Sequence, residues 1–105
     1  MALRISVVIC LYNRADVIRG CLESLAAQEF RDFEVIVVDN NSTDASAALV
    51  RGFAEQDARF RLVTEMHQGV AFCRNRGWRE ASGEFIAYMD DDGRAMPDWL
   101  SVMNR

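Results

Sequence analysis

Lysine is missing altogether: all twelve basic residues among the 105 are arginine. Its absence excludes a P-loop lysine and a Schiff-base lysine, and argues against a receiver-type phosphoacceptor domain, which would be expected to carry one. Histidine occurs once, as His67 in a turn without companion ligands, and reads as a solvated residue. The three cysteines (Cys10, Cys21, Cys73) form no C-x-x-C pair and follow no signal peptide, which suggests reduced thiols in a cytoplasmic protein. Each lies on or beside an apolar face and reads as a small buried hydrophobe. No apolar run approaches the roughly 18–20 residues that span a bilayer, so no transmembrane segment is expected. A net charge of −4 with scattered arginines argues against a nucleic-acid footprint. Repeats, low-complexity tracts and linkers are also absent, leaving one domain with a single core.

What is present alternates regularly. Arg4 to Leu11 is β-branched and almost continuously apolar, as a strand buried on both faces would be. Asn13 is placed to cap a helix, with Asp16 as its capping-box acid, and Val17, Ile18, Cys21, Leu22 and Leu25 follow at helical spacing. Glu34 to Val38 is a second buried strand, closed by the polar run Asp39 to Asp44, and Ala45, Ala48, Leu49 and Phe53 form another helical face. Phe60 to Thr64 is a shorter strand. Val70 to Ala81 reads as a helix despite Gly77, which should mark the close approach of a neighbouring backbone. Glu84 to Met89, led by Gly83, reads as a buried fourth strand, and Pro97 and Asp98 open a last helix.

Strands alternating with helices imply an α/β domain with a parallel sheet. Such sheets bind ligands at the carboxyl ends of their strands, where the strand order reverses. An order 3-2-1-4 sets the first and fourth strands side by side there. Tyr12, Asp39 and the acidic run Asp90-Asp91-Asp92 then converge on one rim. Adjacent carboxylates suit a hard divalent metal, Mg²⁺ or Mn²⁺, which takes oxygen ligands together with substrate phosphates. An aromatic ring, an isolated acid and a metal-binding cluster together suit a nucleoside diphosphate. No G-x-G-x-x-G follows the first strand, which disfavours a dinucleotide. Blander roles stand beside these. The acidic run could be a solvated turn and Tyr12 could simply pack at a strand end. Asp39 could only cap the next helix, a task open equally to Asn40 or Ser42.

The series Ser6-Val7-Val8-Ile9-Cys10-Leu11-Tyr12-Asn13-Arg14, Val38 to Asp44, Arg74-Asn75-x-Gly77, Ala81-x-Gly83, Met89-Asp90-Asp91-Asp92 and Pro97-x-Trp99-Leu100 resembles the nucleotide-sugar half of inverting family 2 glycosyltransferases. The resemblance implies a Rossmann-like GT-A half-domain, a UDP- or GDP-type sugar donor, Mn²⁺ or Mg²⁺, and transfer with inversion. It puts Tyr12 against the base, Asp39 on base or ribose and Arg74 near the nucleotide, although Arg74 could be a plain surface residue. Asp90 and Asp92 match the ends of the family's D-x-D, Asp92 as the main metal ligand, with Asp91 toward ribose or sugar. Family members continue into an acceptor-binding half that carries the catalytic base, and nothing here is placed to be that base. Residues 1–105 are thus expected to be a donor-binding domain, inactive alone, in a cytoplasmic protein that can work at the membrane surface. A nucleotide- or metal-binding module without transferase activity is the alternative. The fourth strand, uncharged after Glu84 and free of proline, lacks the protections of a free edge, and with apolar helix residues among Trp78, Trp99, Leu100 and Met103 it implies a homodimer.

Overall fold

Seven residues, Ile5–Leu11, all apolar but Ser6, form the central strand β1, and every one except Cys10 is buried. In the computed structural model, which describes residues 3–104, β1 is hydrogen-bonded along both edges. Strand β2 (Phe33–Asp39) lies parallel on one side and β4 (Phe85–Asp90) parallel on the other, while β3 (Phe60–Thr64) pairs outside β2. The sheet is therefore parallel throughout with the order 3-2-1-4 expected from the sequence.

Side chains alternate across a strand, so β1 and β2 supply two different faces. Ile5, Val7, Ile9 and Leu11, with Phe33, Val35 and Val37, pack on α1 (Ile18–Ala26) and α2 (Ser46–Gln56). The opposite face presents Val8, Ile36 and Val38 to Cys73 of α3 (Val70–Glu80). Each fully buried aliphatic side chain contributes roughly 1.5–3 kcal/mol, against at most about 1 kcal/mol for an exposed ion pair. The two apolar layers, not the surface charges, hold the sheet between its helices.

Helix α3 lies chiefly over β1 and β2. Strand β4 is therefore not the buried strand expected from the sequence: of its six residues only Ala87 is buried, and Tyr88, on the α3 side, is 46% exposed. The close approach expected at Gly77 is present, with a side chain as the neighbour: a Cβ there would sit 2.3 Å from Val8 Cγ1. The missing methyl lets α3 settle onto β1.

The amino ends of the strands are tied by a polar knot. Ser6 Oγ donates to Glu34 Oε2 at 2.6 Å and accepts from the Gly83 N–H at 2.7 Å, while the Ser82 N–H reaches the same carboxylate at 2.7 Å. The entry to β4 is thereby fixed against β1 and β2. The last helix, α4 (Trp99–Met103), is anchored from α1. Gln28 Oε1 accepts from the Leu100 N–H at 3.0 Å, and its Nε2 donates to the Met96 carbonyl at 2.7 Å. Asp98 makes no side-chain cap, since Gln28 has taken that role. Of the four helix residues among which some were expected to be exposed, Trp78 and Met103 are exposed, Trp99 is half-buried and Leu100 is fully buried against this anchor.

Gly77 and Gly52 form a matched pair of helical glycines. Gly77→Ala must displace Val8 and should lower stability by about 1–3 kcal/mol in urea unfolding. Gly52 has nothing within 4 Å of an added Cβ, and Gly52→Ala should be neutral or stabilising by up to about 1 kcal/mol. Equal effects at the two positions would contradict this packing.

Candidate functional site

The register of the sheet decides what meets at its carboxyl end. Leu11 pairs with Asp39 on one side of β1, and Cys10 pairs with Asp90 on the other. The chain leaves β1 through Tyr12 and turns sharply at Asn13, whose φ of 51° is left-handed. Asparagine tolerates that conformation better than most residues. The turn directs the Asn13 side chain away from α1, which begins without a side-chain cap behind Val17. Asn13 Oδ1 instead accepts from the Thr43 N–H at 2.7 Å, locking the loop after β1 to the loop after β2. The capping box expected with Asp16 is not formed. Two bonds in the other direction complete the lock: the Asn13 N–H donates to Ser42 Oγ at 3.0 Å and the Arg14 N–H to Ser46 Oγ at 2.9 Å.

A cleft of about 610 Å³ opens between these loops, α3 and the Tyr88 side of β4. Tyr12, Arg74, Asp90, Asp91 and Asp92 all line it, so five of the six residues singled out from the sequence come together. Tyr12 is 48% exposed, which leaves its ring available for stacking. Arg74 lies over the Tyr88 ring at 5.6 Å and stays solvent-facing. Asp39 is different. It belongs to the alternating set of Val35 and Val37 that faces α1 and α2, and it is not part of the cleft wall. It is only 4% exposed, with Oδ2 accepting from the Ser42 N–H at 3.3 Å and Oδ1 buried without a partner. A buried carboxylate oxygen left unbonded is costly, and such atoms commonly await a ligand or water.

Two residues given no site role from sequence prove central. Asn40, 6% exposed, donates to the carbonyls of Glu65 (2.8 Å) and His67 (2.9 Å) and accepts from the Gly69 N–H (2.8 Å). It thereby pins the segment that enters α3. Arg14 lies against the acidic run, with Nε 3.6 Å from Asp91 Oδ1 and Nη2 3.2 Å from Asp92 Oδ2. The adjacency of Tyr12, Asn13 and Arg14 was visible, but no local pattern shows a contact made 78 residues away. His67 is solvent-facing as expected, with Nδ1 3.1 Å from Glu65 and its ring stacked on Phe72 at 5.3 Å.

Burial pushes the Asp91 carboxyl above the usual carboxylate range, Arg14 opposes this, and Asp92 and Asp90 reinforce it. Burial likewise raises the thiol of Cys10 and pushes those of Cys21 and Cys73 up to about 12, which keeps them protonated at neutral pH. Among the described residues no three His, Cys, Asp or Glu side chains are grouped closely enough to hold a metal by themselves. The donor set nevertheless fits a hard cation that is completed by phosphate oxygens, since such ions need only one or two protein carboxylates. The Arg14 guanidinium, seated between two of them, is a stand-in cation at that place.

A raised carboxylate destabilises the fold while it is ionised. Wild-type stability should therefore rise as pH falls through the raised Asp91 pKa, until the unfolded value near 3.8 is reached. Asp91→Asn removes the ionised group, so it should unfold later than wild type at pH 7, by a margin that shrinks toward pH 4. Denaturant midpoints at both pH values check this. A variant destabilised at pH 7 would contradict it.

Comparison with known proteins gives this site a family. The family described as Glycosyl transferase family 2 matches residues 6–104. EpsH of Bacillus subtilis (strain 168) is 39% identical over 101 residues, 96% of this chain and 29% of that protein. S. aureus TarS 1-349 in complex with UDP-GlcNAc superposes with a TM-score of 0.87 at 29% identity, covering 97% of this chain and 30% of that one. The mannosyltransferase PcManGT from Pyrobaculum calidifontis, in complex with GDP-Man and Mn²⁺, gives 0.85 at 31% identity, covering 96% of this chain and 33% of that one. The chain spans about a third of the length of these proteins. Sequence match, sheet order and cleft agree, and the chain belongs to glycosyl transferase family 2, as a GT-A-type α/β domain.

Proposed function

We propose that this domain binds a nucleotide-diphosphate sugar of the UDP or GDP type together with Mn²⁺ or Mg²⁺, and serves sugar transfer with inversion. The observation that carries the reading is the cleft itself, where Tyr12 and Arg74 meet Asp90, Asp91 and Asp92. Its volume of about 610 Å³ lies in the range of small-molecule and cofactor sites. The half-exposed Tyr12 ring packs on the base, and Arg74 attracts the phosphates. The unpartnered Asp39 Oδ1 is left to accept from base or ribose, although Asp39 is not part of the cleft wall. Asp91 orients ribose or sugar, while Asp92 and Asp90 hold the metal, which when bound neutralises the diphosphate leaving group. Related structures with UDP-GlcNAc, and with GDP-Man and Mn²⁺, support this choice of ligands. No helix among the described residues is long and apolar enough to cross a membrane. A cytoplasmic setting, including the membrane surface, remains part of the proposal.

Self-association belongs to the same proposal. Strand β4 is the last in the sheet order and presents Phe85, 55% exposed, and Trp78 and Met103 are further exposed apolar residues of the domain. An edge strand without inward charge or proline is a template for pairing with a second copy.

Two experiments test these readings. Calorimetric titration of UDP and GDP should show binding of about −4 to −7 kcal/mol with Mn²⁺ present, and at least about tenfold weaker binding without it. Asp92→Ala should abolish the effect of the metal. Binding that ignores both metal and substitution would contradict the assignment. Light scattering at about 100 μM should give a dimer that Phe85→Lys converts to a monomer, because a charge on the edge blocks pairing. A wild-type monomer would dismiss the self-association.

A further inference from the structure

The acidic run already has a cation beside it. Arg14 faces Asp91 through Nε and Asp92 through Nη2, and the Nε is buried without a hydrogen-bond partner among the described residues. Its backbone cannot follow the side chain. The Arg14 N–H is bonded to Ser46, and its carbonyl accepts from the Val17 and Ile18 N–H groups at 3.1 and 3.0 Å. Only the flexible stem can move, and 42% of the side chain is exposed on the cleft side. Pairs this exposed are weak. A divalent ion carries twice the charge, and it would repel a guanidinium left in place.

From this geometry we infer that Arg14 is a tethered counter-cation that, held beside Asp91, competes with the divalent metal for Asp92. It holds the acidic turn together while the site is empty and must swing away before metal can enter. The inference rests on the metal reading of the same site. Its consequence is a coupling between ligands. Metal alone binds weakly because it must displace Arg14. Metal arriving with a diphosphate binds better, because the phosphates supply oxygen ligands and offer the released guanidinium a new partner within the cleft. Arginine suits this exchange, since its planar fork matches carboxylate and phosphate equally well.

The test reads free Mn²⁺ by electron paramagnetic resonance, with no sugar transfer involved. Without nucleotide, Arg14→Gln should bind Mn²⁺ about three- to tenfold tighter than wild type. Arg14→Lys should fall between them, because an ammonium cannot span both carboxylates in the way a guanidinium does. With UDP or GDP added the advantage of Arg14→Gln should shrink or reverse, since the diphosphate then loses a cationic partner. Thermal melts confirm that each variant is folded, and if Arg14→Gln is not, the Arg14→Lys titration decides. Wild type that binds Mn²⁺ with nucleotide, combined with variants that bind Mn²⁺ alone no tighter than it does, overturns the inference and leaves the metal site standing. Failure of wild type to bind Mn²⁺ even with nucleotide overturns both.

Discussion

Everything at the site depends on β1 being hydrogen-bonded along both of its edges. That double pairing sets Leu11 opposite Asp39 and Cys10 opposite Asp90. Because side chains alternate, it also decides that Tyr88 and Asp90 share the α3 side of β4 while Ala87 and Met89 pack into the α1–α2 core. A slip of one residue in β4 would exchange the two sets, driving Asp90 toward an apolar layer and Met89 into water. Burying an unpaired carboxylate costs several kcal/mol, far more than any surface ion pair returns. The apolar pattern of the strand therefore enforces the position of the acidic cluster.

The two ends of the sheet are built on opposite principles. At the amino end, Glu34 receives hydrogen bonds from Ser6 and from the Ser82 N–H, and Arg61 stands 3.6 Å from its second oxygen. Arg61 continues to Glu80 at 2.9 Å, so the charges there are mutually paired. At the carboxyl end, Asp39 Oδ1 and Arg14 Nε are buried without partners, and Asp91 is held above its ordinary pKa range. Two of the three buried unpartnered side-chain atoms among the described residues thus lie where a ligand can satisfy them, and the third, Arg59 Nη1, stands just before β3 at the other end. This asymmetry separates the part of the domain that fixes the fold from the part available for chemistry.

Strands and their order were legible because the information is local and repeated. A run such as Ser6 to Leu11 reads as a strand buried on both faces, and four strands separated by helical faces leave few arrangements. Tyr12 and Asp90 to Asp92 were legible for a related reason, lying at strand ends that the topology must bring together, whereas Arg74, inside α3, was legible only through the family resemblance. Contacts made by single side chains across the chain were not. Gln28 capping α4 and Asn13 locking the loop after β2 join residues 72 and 30 apart, and neither leaves a periodic trace. Asn13 misled in addition, because its left-handed φ turns a residue of capping type away from the helix it precedes. Arg14 looked like one scattered arginine among twelve until the fold set it against Asp91 and Asp92.

The central claim is one of place: ligand and metal meet at the carboxyl ends of β1 and β4, beside α3. Paramagnetic broadening of amide signals in the ¹⁵N-labelled protein, by trace Mn²⁺ in the presence of UDP or GDP, maps that place directly. The expected result is loss of signal centred on Asp90, Asp91 and Asp92, extending to Tyr12, Arg14 and Arg74, with Ser82 and Gly83 at the far end of the sheet unaffected. Broadening centred on the amino ends of the strands, or spread evenly over the surface acids, would contradict it.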